Sequence, residues 1–166
     1  MPMTENDING SHRDMIKRST SWGNVASWYA DVVEDLESFQ STVIGPSLIR
    51  LLEINEGMRV LDLACGEGWF SRVCAHKGAR VTGVDISPEL IKVAQKKSHP
   101  LIHFFSGSAD KLGMIPNHTV DRVVIILALQ NIENVLGVIE SCRRVLAPKG
   151  RLLIVINHPA FRIPKQ

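Results

Sequence analysis

The segment Val60-Leu61-Asp62-Leu63-Ala64-Cys65-Gly66-Glu67-Gly68 constrains this chain more than any other. An apolar run suited to a buried strand stops at a glycine-rich turn, and a helical pattern opens directly after it. A second apolar run, Val81-Thr82-Gly83-Val84, ends in an acid, Asp85, 17 residues after Gly68. Strand, glycine turn, helix, strand and acid in this order make the nucleotide-holding half of a doubly wound α/β sheet. The turn must bring bare backbone close to a ligand, which only small residues permit. The acid at the end of the next strand is placed to accept hydrogen bonds from two ribose hydroxyls.

What the turn lacks narrows the nucleotide. A dinucleotide fingerprint needs a third glycine about where Ser71 stands, and a short-chain reductase needs a glycine in place of Asp62. An acid at the end of the first strand repels a pyrophosphate and suits a ligand with a positive group there. S-adenosylmethionine (SAM) is such a ligand, with an ammonium and a sulfonium at the end away from its adenine. On these residues the chain resembles the class I SAM-dependent methyltransferases of the type 11 kind, whose first motif is an apolar run and then D-x-G-x-G-x-G. The first glycine of that motif is Ala64 here. The resemblance covers about residues 20 to 158. It implies a Rossmann-like, doubly wound, mostly parallel sheet, SAM as cofactor and a small molecule as methyl acceptor.

Composition agrees with a folded domain and removes other classes. The chain has 166 residues, 45% apolar and 22% charged, with a net charge of +2. A domain of this size buries on the order of two-thirds of its unfolded surface. The weak charge makes no case for nucleic acid as a partner. No apolar run reaches the roughly 20 residues of a membrane span, and the first residues hold no apolar signal core, so a cytoplasmic protein is expected. Cys65, Cys74 and Cys142 have no metal spacing, and the six histidines do not cluster with acids, so no metal is expected. Cys65 reads as a small filler of the turn rather than a nucleophile.

Residues 1–18 read as a flexible polar tail, and 19–166 as one SAM-binding domain with an N-terminal helical lid. Val25, Trp28, Tyr29, Val32 and Leu36 follow helical spacing, and a second helix starts near Pro46 and ends at Asn55-Glu56-Gly57. Strands are expected at 59–63, 80–84, 102–105, 120–127 and 151–156. Helices lie between them, one over 69–76 and one opened by Ser87-Pro88-Glu89. A further helix carries the stripe Ile132, Val135, Leu136, Ile139, Cys142, Val145 and Leu146, and Pro148-Lys149-Gly150 turns the chain after it. Alternating strands and helices predict right-handed parallel crossovers.

Ligands in such sheets bind beyond the carboxyl ends of the strands. The resemblance assigns Asp62, Ala64, Cys65, Gly66 and Gly68 to the methionine part and the ribose, and Asp85 to the ribose. Ile86 flanks the adenine. Gly107-Ser108-Ala109-Asp110 resembles the family's adenine-edge segment G-D-A. The family's acid position is Ser108 and an acid follows at Asp110, so either Ser108 or Asp110 accepts from the adenine amino group while the Ala109 amide serves the ring. The stretch after strand four places a backbone carbonyl near Ile126 on the methionine end and turns Gln130 and Asn131 toward the substrate. Asn131 has a second reading, as the cap of the next helix. His158 stands at the correct end of strand five for a general base. Trp22 and Tyr29 read as part of the lid on the substrate side, or equally as core.

Only ten residues follow Ile156, too few for the family's final antiparallel pair. The sheet is therefore expected to lack that pair and to end on an apolar edge, strand five, with a homodimer across it. Two other readings stand beside a methyltransferase. One is a SAM-binding subunit that is catalytically inactive or regulatory. The other is a nicotinamide-dependent oxidoreductase, which the position of Tyr29, the only tyrosine, disfavours because it leaves no Tyr-x-x-x-Lys pair.

Overall fold

The computed structural model describes residues 40–158. The expected tail 1–18 and the expected helix with Trp28 and Tyr29 fall outside the described residues, as does Trp22. A short π-helical turn, Gln40–Ile44, leads into α1, Gly45–Leu52, with Pro46 in its first turn. Then come β1 (Arg59–Leu63), α2 (Trp69–His76), β2 (Arg80–Asp85), α3 (Pro88–Lys96), β3 (Ile102–Ser106), β4 (Val120–Ile126), a 3₁₀ turn at Leu129–Asn131, α4 (Val135–Val145) and β5 (Leu146–Val155). The expected strands and first helices fall at these positions. Ser87 caps α3 as its chemistry requires, its hydroxyl accepting from the Leu90 amide at 3.3 Å.

All five strands run parallel in the order β3-β2-β1-β4-β5. The chain winds outward from β1 to β3, then returns to the other side of β1. The reversal opens a crevice past the ends of β1 and β4. Alternation along each strand divides the core in two. Val60, Val81 and Val124 pack toward α1, α2 and α3 with Leu48, Leu52, Phe70, Cys74, Ile91 and Ala94. Leu61, Leu63, Val84, Val123 and Ile125 face α4 and the long connection before β4, with Leu112, Val138, Cys142 and Val145. Asp62, two residues after Val60, therefore points its side chain under α2.

Two expectations are corrected. The face of α4 on the sheet is Val138, Cys142 and Val145, whereas Leu136 is 78% and Ile139 38% exposed. The helix carries two overlapping apolar stripes, and only docking on β4 and β5 decides which one is buried. The Pro148-Lys149-Gly150 segment does not precede β5 but lies inside it. The pairing jumps from Val120–Leu146 to Arg122–Arg151, and the extra residues bulge out with Lys149 in the left-handed region at φ 66°. Among the described residues β5 stands at an edge of the sheet.

Gly83 matters for close packing in β2. A Cβ there would lie 2.5 Å from the Phe104 ring and 3.0 Å from Cys65 Sγ. Gly83→Ala is expected to lower stability by about 1–3 kcal/mol through overpacking. Phe104→Leu in the same chain should return part of that loss, with urea unfolding as the measurement.

Candidate cofactor site

Past Leu63 the backbone turns through left-handed residues: Ala64 at φ 55°, Gly66 at 57° and Gly68 at 82°. Ala64 holds this conformation with a side chain, at a cost of about 1 kcal/mol. The turn is tied down at each step. The Cys65 amide donates to the Val84 carbonyl at 3.1 Å, and the Gly68 amide to the Cys65 carbonyl at 2.9 Å. Gly68 opens α2 and must be bare for a second reason, since a Cβ there would sit 2.6 Å from the Phe104 ring. Cys65 lies against Gly83, and burial holds its thiol well above the ordinary range, so it fills space as a neutral group.

Asp85 joins the turn to β2. Its Oδ2 accepts from the Gly66 amide at 2.8 Å and its Oδ1 from the Ser87 amide at 2.9 Å. The carboxylate is 7% exposed. Burial raises its pKa, and the amides of Ser87, Gly66 and Ile86 oppose that rise. Asp62 is deeper, 2% exposed, and its Oδ2 accepts from the Ser71 hydroxyl at 2.7 Å. Burial lifts its pKa to about 7, against the pull of Ser71 and with a smaller push from Asp85. Glu67 lines the cleft beside Asp62 and is buried against α2, where Arg72 Nη2 donates to its Oε2 at 2.7 Å and Nη1 to the Glu67 carbonyl.

Three adjoining clefts follow this frame, and Ala64 lines all of them. One lies over Asp62, between Gln40, Trp69, Phe70 and Ile126. The next is bounded by Gly66, Asp85, Ile86, Ile126, Leu127 and Asn131. The third, about 280 Å³, extends from Asp85 and Ile86 to Ser108, Ala109, Asp110 and Asn134. The expected residues Asp62, Ala64, Cys65, Gly66, Asp85, Ile86, Ser108, Ala109, Asp110 and Ile126 are thus brought to one continuous crevice.

Other residues stand differently. Gln130 folds back, its Nε2 donating to the Leu127 carbonyl at 2.6 Å, and it is not part of the crevice wall. Its side chain completes the tight turn after β4, where Leu127 sits at φ 51°. Asn131 lines two of the clefts but does not cap α4; Asn134 does, its Oδ1 accepting from the Gly137 amide at 3.1 Å. His158 is exposed, on the rim of an open apolar trough beside β5 that shares Leu127 with the crevice. Trp22 and Tyr29 lie outside the described residues. Among those residues no group of three or more His, Cys, Asp or Glu is arranged to hold a metal ion.

This arrangement has counterparts in known proteins. A family model described as a methyltransferase domain matches residues 61–154, more than half of the chain. The chain belongs to the methyltransferase-domain family. It is 28% identical to a demethylmenaquinone methyltransferase of Tropheryma whipplei, over 92% of this chain and 63% of that protein. A ubiquinone biosynthesis O-methyltransferase of Xanthomonas oryzae pv. oryzae is 34% identical over 59% of this chain and 42% of that protein. The crystal structure of an S-adenosylmethionine-dependent methyltransferase from Mesorhizobium loti superposes with a TM-score of 0.66 at 28% identity, over 75% of this chain and 56% of that one. The chain therefore spans less than two-thirds of these relatives' lengths. By family it is a methyltransferase domain, and its five parallel strands share the fold of the Mesorhizobium loti structure.

The donor set suits the family's cofactor. A buried acid meets the crevice at Asp85, and a second acid lies under its other end at Asp62. The bare Gly66 backbone passes between them. Sequence reasoning missed Ser71, which it used only as a missing glycine, although a hydroxyl one helical turn past the motif, facing the strand, is well placed to serve a buried acid. It also missed Asn134, Glu67 and Arg72, whose partners depend on how the helices dock.

The raised Asp62 pKa gives a signed expectation for the ligand-free protein. An unfolded aspartate titrates near pH 4, the folded one near 7. The folded state holds the extra proton between these values, so stability contributed by Asp62 is present below about pH 4 and lost as pH rises to about 7. Chemical unfolding at pH 5 and pH 8 should show Asp62→Asn gaining on the native chain at the higher pH, by on the order of 1–3 kcal/mol. An unchanged difference would contradict the buried ionisation.

Proposed function

We propose that this chain binds S-adenosylmethionine across the ends of β1, β2 and β3 and transfers its methyl group to a small molecule with a large apolar part. The single observation that carries the reading is the pair of buried acids on either side of one glycine turn, Asp62 and Asp85, along a crevice in which Ala64 is common to every section. SAM supplies a methyl group already activated on a sulfonium. The chain's own contribution is alignment, which is worth roughly 7–11 kcal/mol when reacting groups are well oriented.

Asp85, on the wall of the crevice, grips the ribose hydroxyls. Asp62 complements the ammonium and ionises as that charge arrives, releasing a proton below about pH 7. Ile86 covers one face of the adenine, and the Ile126 carbonyl borders the methionine end. The acceptor occupies the open trough of about 620 Å³, walled by Leu48, Leu51, Leu127, Val155 and Ile156. Leu127 also borders the crevice, so trough and crevice meet there. An apolar acceptor agrees with relatives named for menaquinone and ubiquinone biosynthesis. His158 on the trough rim is the available base for an acceptor hydroxyl.

Calorimetric titration with SAM, S-adenosylhomocysteine and NAD in parallel tests the reading. The two sulfur nucleosides should bind and NAD should not. Asp85→Asn should weaken SAM by about 10- to 100-fold through loss of charge-assisted hydrogen bonds. Affinity should also rise between pH 6 and pH 8 in the native chain and stay level in Asp62→Asn. Equal binding of NAD, or an Asp85→Asn chain with native affinity, would overturn the assignment.

A further inference from the structure

Among the described residues β5 pairs only with β4, in a register that runs from Arg122–Arg151 to Ile126–Val155. The phase of its hydrogen bonds is fixed at the far end, where the Leu127 amide donates to the Val155 carbonyl at 2.8 Å. In a strand the N–H and C=O of one residue point to one side, and those of the next residue point to the other. Val155, Leu153 and Arg151 therefore turn their backbone groups to β4. Leu152 and Ile154 turn theirs out of the sheet. The devices that usually blunt such an edge stop short of it. Pro148, Lys149 in its bulge and Arg151 all precede Leu152, and Leu152 to Ile156 holds neither a charge nor a proline.

Both faces of this edge are apolar. On one, Leu153 and Val155 join Leu48, Leu51 and Ile156 in the open trough, with Leu51 54% and Ile156 57% exposed. On the other, Leu152 and Ile154 are half-buried against the core under α4. We infer that this edge docks a second copy of the chain, which pairs its own β5 antiparallel across a two-fold axis at Leu153. A two-fold axis lets one patch serve both partners. About that centre Leu152 stands opposite the partner's Ile154, and Ile154 opposite the partner's Leu152. Each pair exchanges two N–H···O bonds, so every outward backbone group of Leu152 and Ile154 is met. Leu153 faces the partner's Leu153 at the close, non-bonded position between them.

The axis stands normal to the sheet, so each face meets its like. The two troughs run together on one side, and an acceptor seated there lies against both chains. The trough's lining residues with Leu146, Arg151 and Leu152 give about 15 residues a side, which at the usual density of interfaces buries on the order of 1,000 Å² in total, the size at which a contact becomes specific. Arg151, which Glu53 meets at 3.0 Å and whose side chain is 52% exposed, comes opposite the partner's Val155. The pairing does not depend on the cofactor reading.

Sedimentation velocity of the full chain at micromolar concentrations should show a reversible dimer. Val155→Glu and Val155→Lys are equally polar at one half-buried site and share any cost to folding. They differ toward the partner's Arg151, which attracts the first and repels the second at two symmetric places. The dimer dissociation constant of the Lys chain should exceed that of the Glu chain by about tenfold or more. Leu153→Cys should form an interchain disulfide on mild oxidation, because facing residues at a non-bonded position bring their Cα atoms to about 4.5 Å, within disulfide reach. The native chain and Met114→Cys, exposed beside the segment after β3, should not. If both Val155 chains fail to fold, the Leu153→Cys result decides alone. A native chain that stays monomeric, its trough covered by the residues before Gln40 or filled by acceptor alone, overturns the inference. So does a dimer whose Val155 variants dissociate alike, or whose Leu153→Cys chain stays uncrosslinked, since the contact then lies elsewhere.

Discussion

Asp85 accepts a backbone hydrogen bond on each oxygen, from Gly66 in the glycine turn and from Ser87 at the start of α3. Three pieces of chain that are far apart in sequence, β1's turn, β2's end and the α3 cap, are locked by one carboxylate. A buried acid survives only where donors meet it, and here the donors are the loop itself. The site's shape is therefore set before any ligand arrives. The same carboxylate lines the crevice, so the group that organises the turn also borders the site.

Asp62 carries the same balance further. Ser71 serves, through its hydroxyl and its backbone, a carboxylate that is almost fully enclosed, and burial still lifts its pKa to about 7. Such a group destabilises the fold when it ionises, and a chain selected only for stability has little reason to keep it. It makes sense as half of an ion pair whose other half comes with the ligand. The two acids thus differ in setting: Asp85 is met by backbone amides from two elements, whereas Asp62 lies deeper, against Ser71.

The far end of the crevice follows from helix placement. α4 docks through Val138, Cys142 and Val145, and this rotation brings Asn134 and Ser141 to the segment after β3. Asp110 is drawn into that contact and Ser108 is left at the cleft. Gln130, which local sequence points toward a substrate, instead finds a nearer partner in the Leu127 carbonyl, because the left-handed bend at Leu127 leaves that oxygen within reach.

Local chemistry determined much of this protein from the sequence alone. Apolar runs, the glycine turn, Ser87-Pro88 and the acid closing β2 act over a few residues, so the strands, the α3 cap, the parallel sheet and the two acids were legible without coordinates. Tertiary structure decided what depends on the relative placement of elements. It chose which of two apolar stripes on α4 is buried and put the Pro148–Gly150 bulge inside β5. It made Asn134 rather than Asn131 the cap, and it paired Ser71 with Asp62 and Asp110 with Ser108. Those outcomes turn on where a helix comes to rest against a sheet, and spacing along one chain carries no information about the rotation of its neighbour.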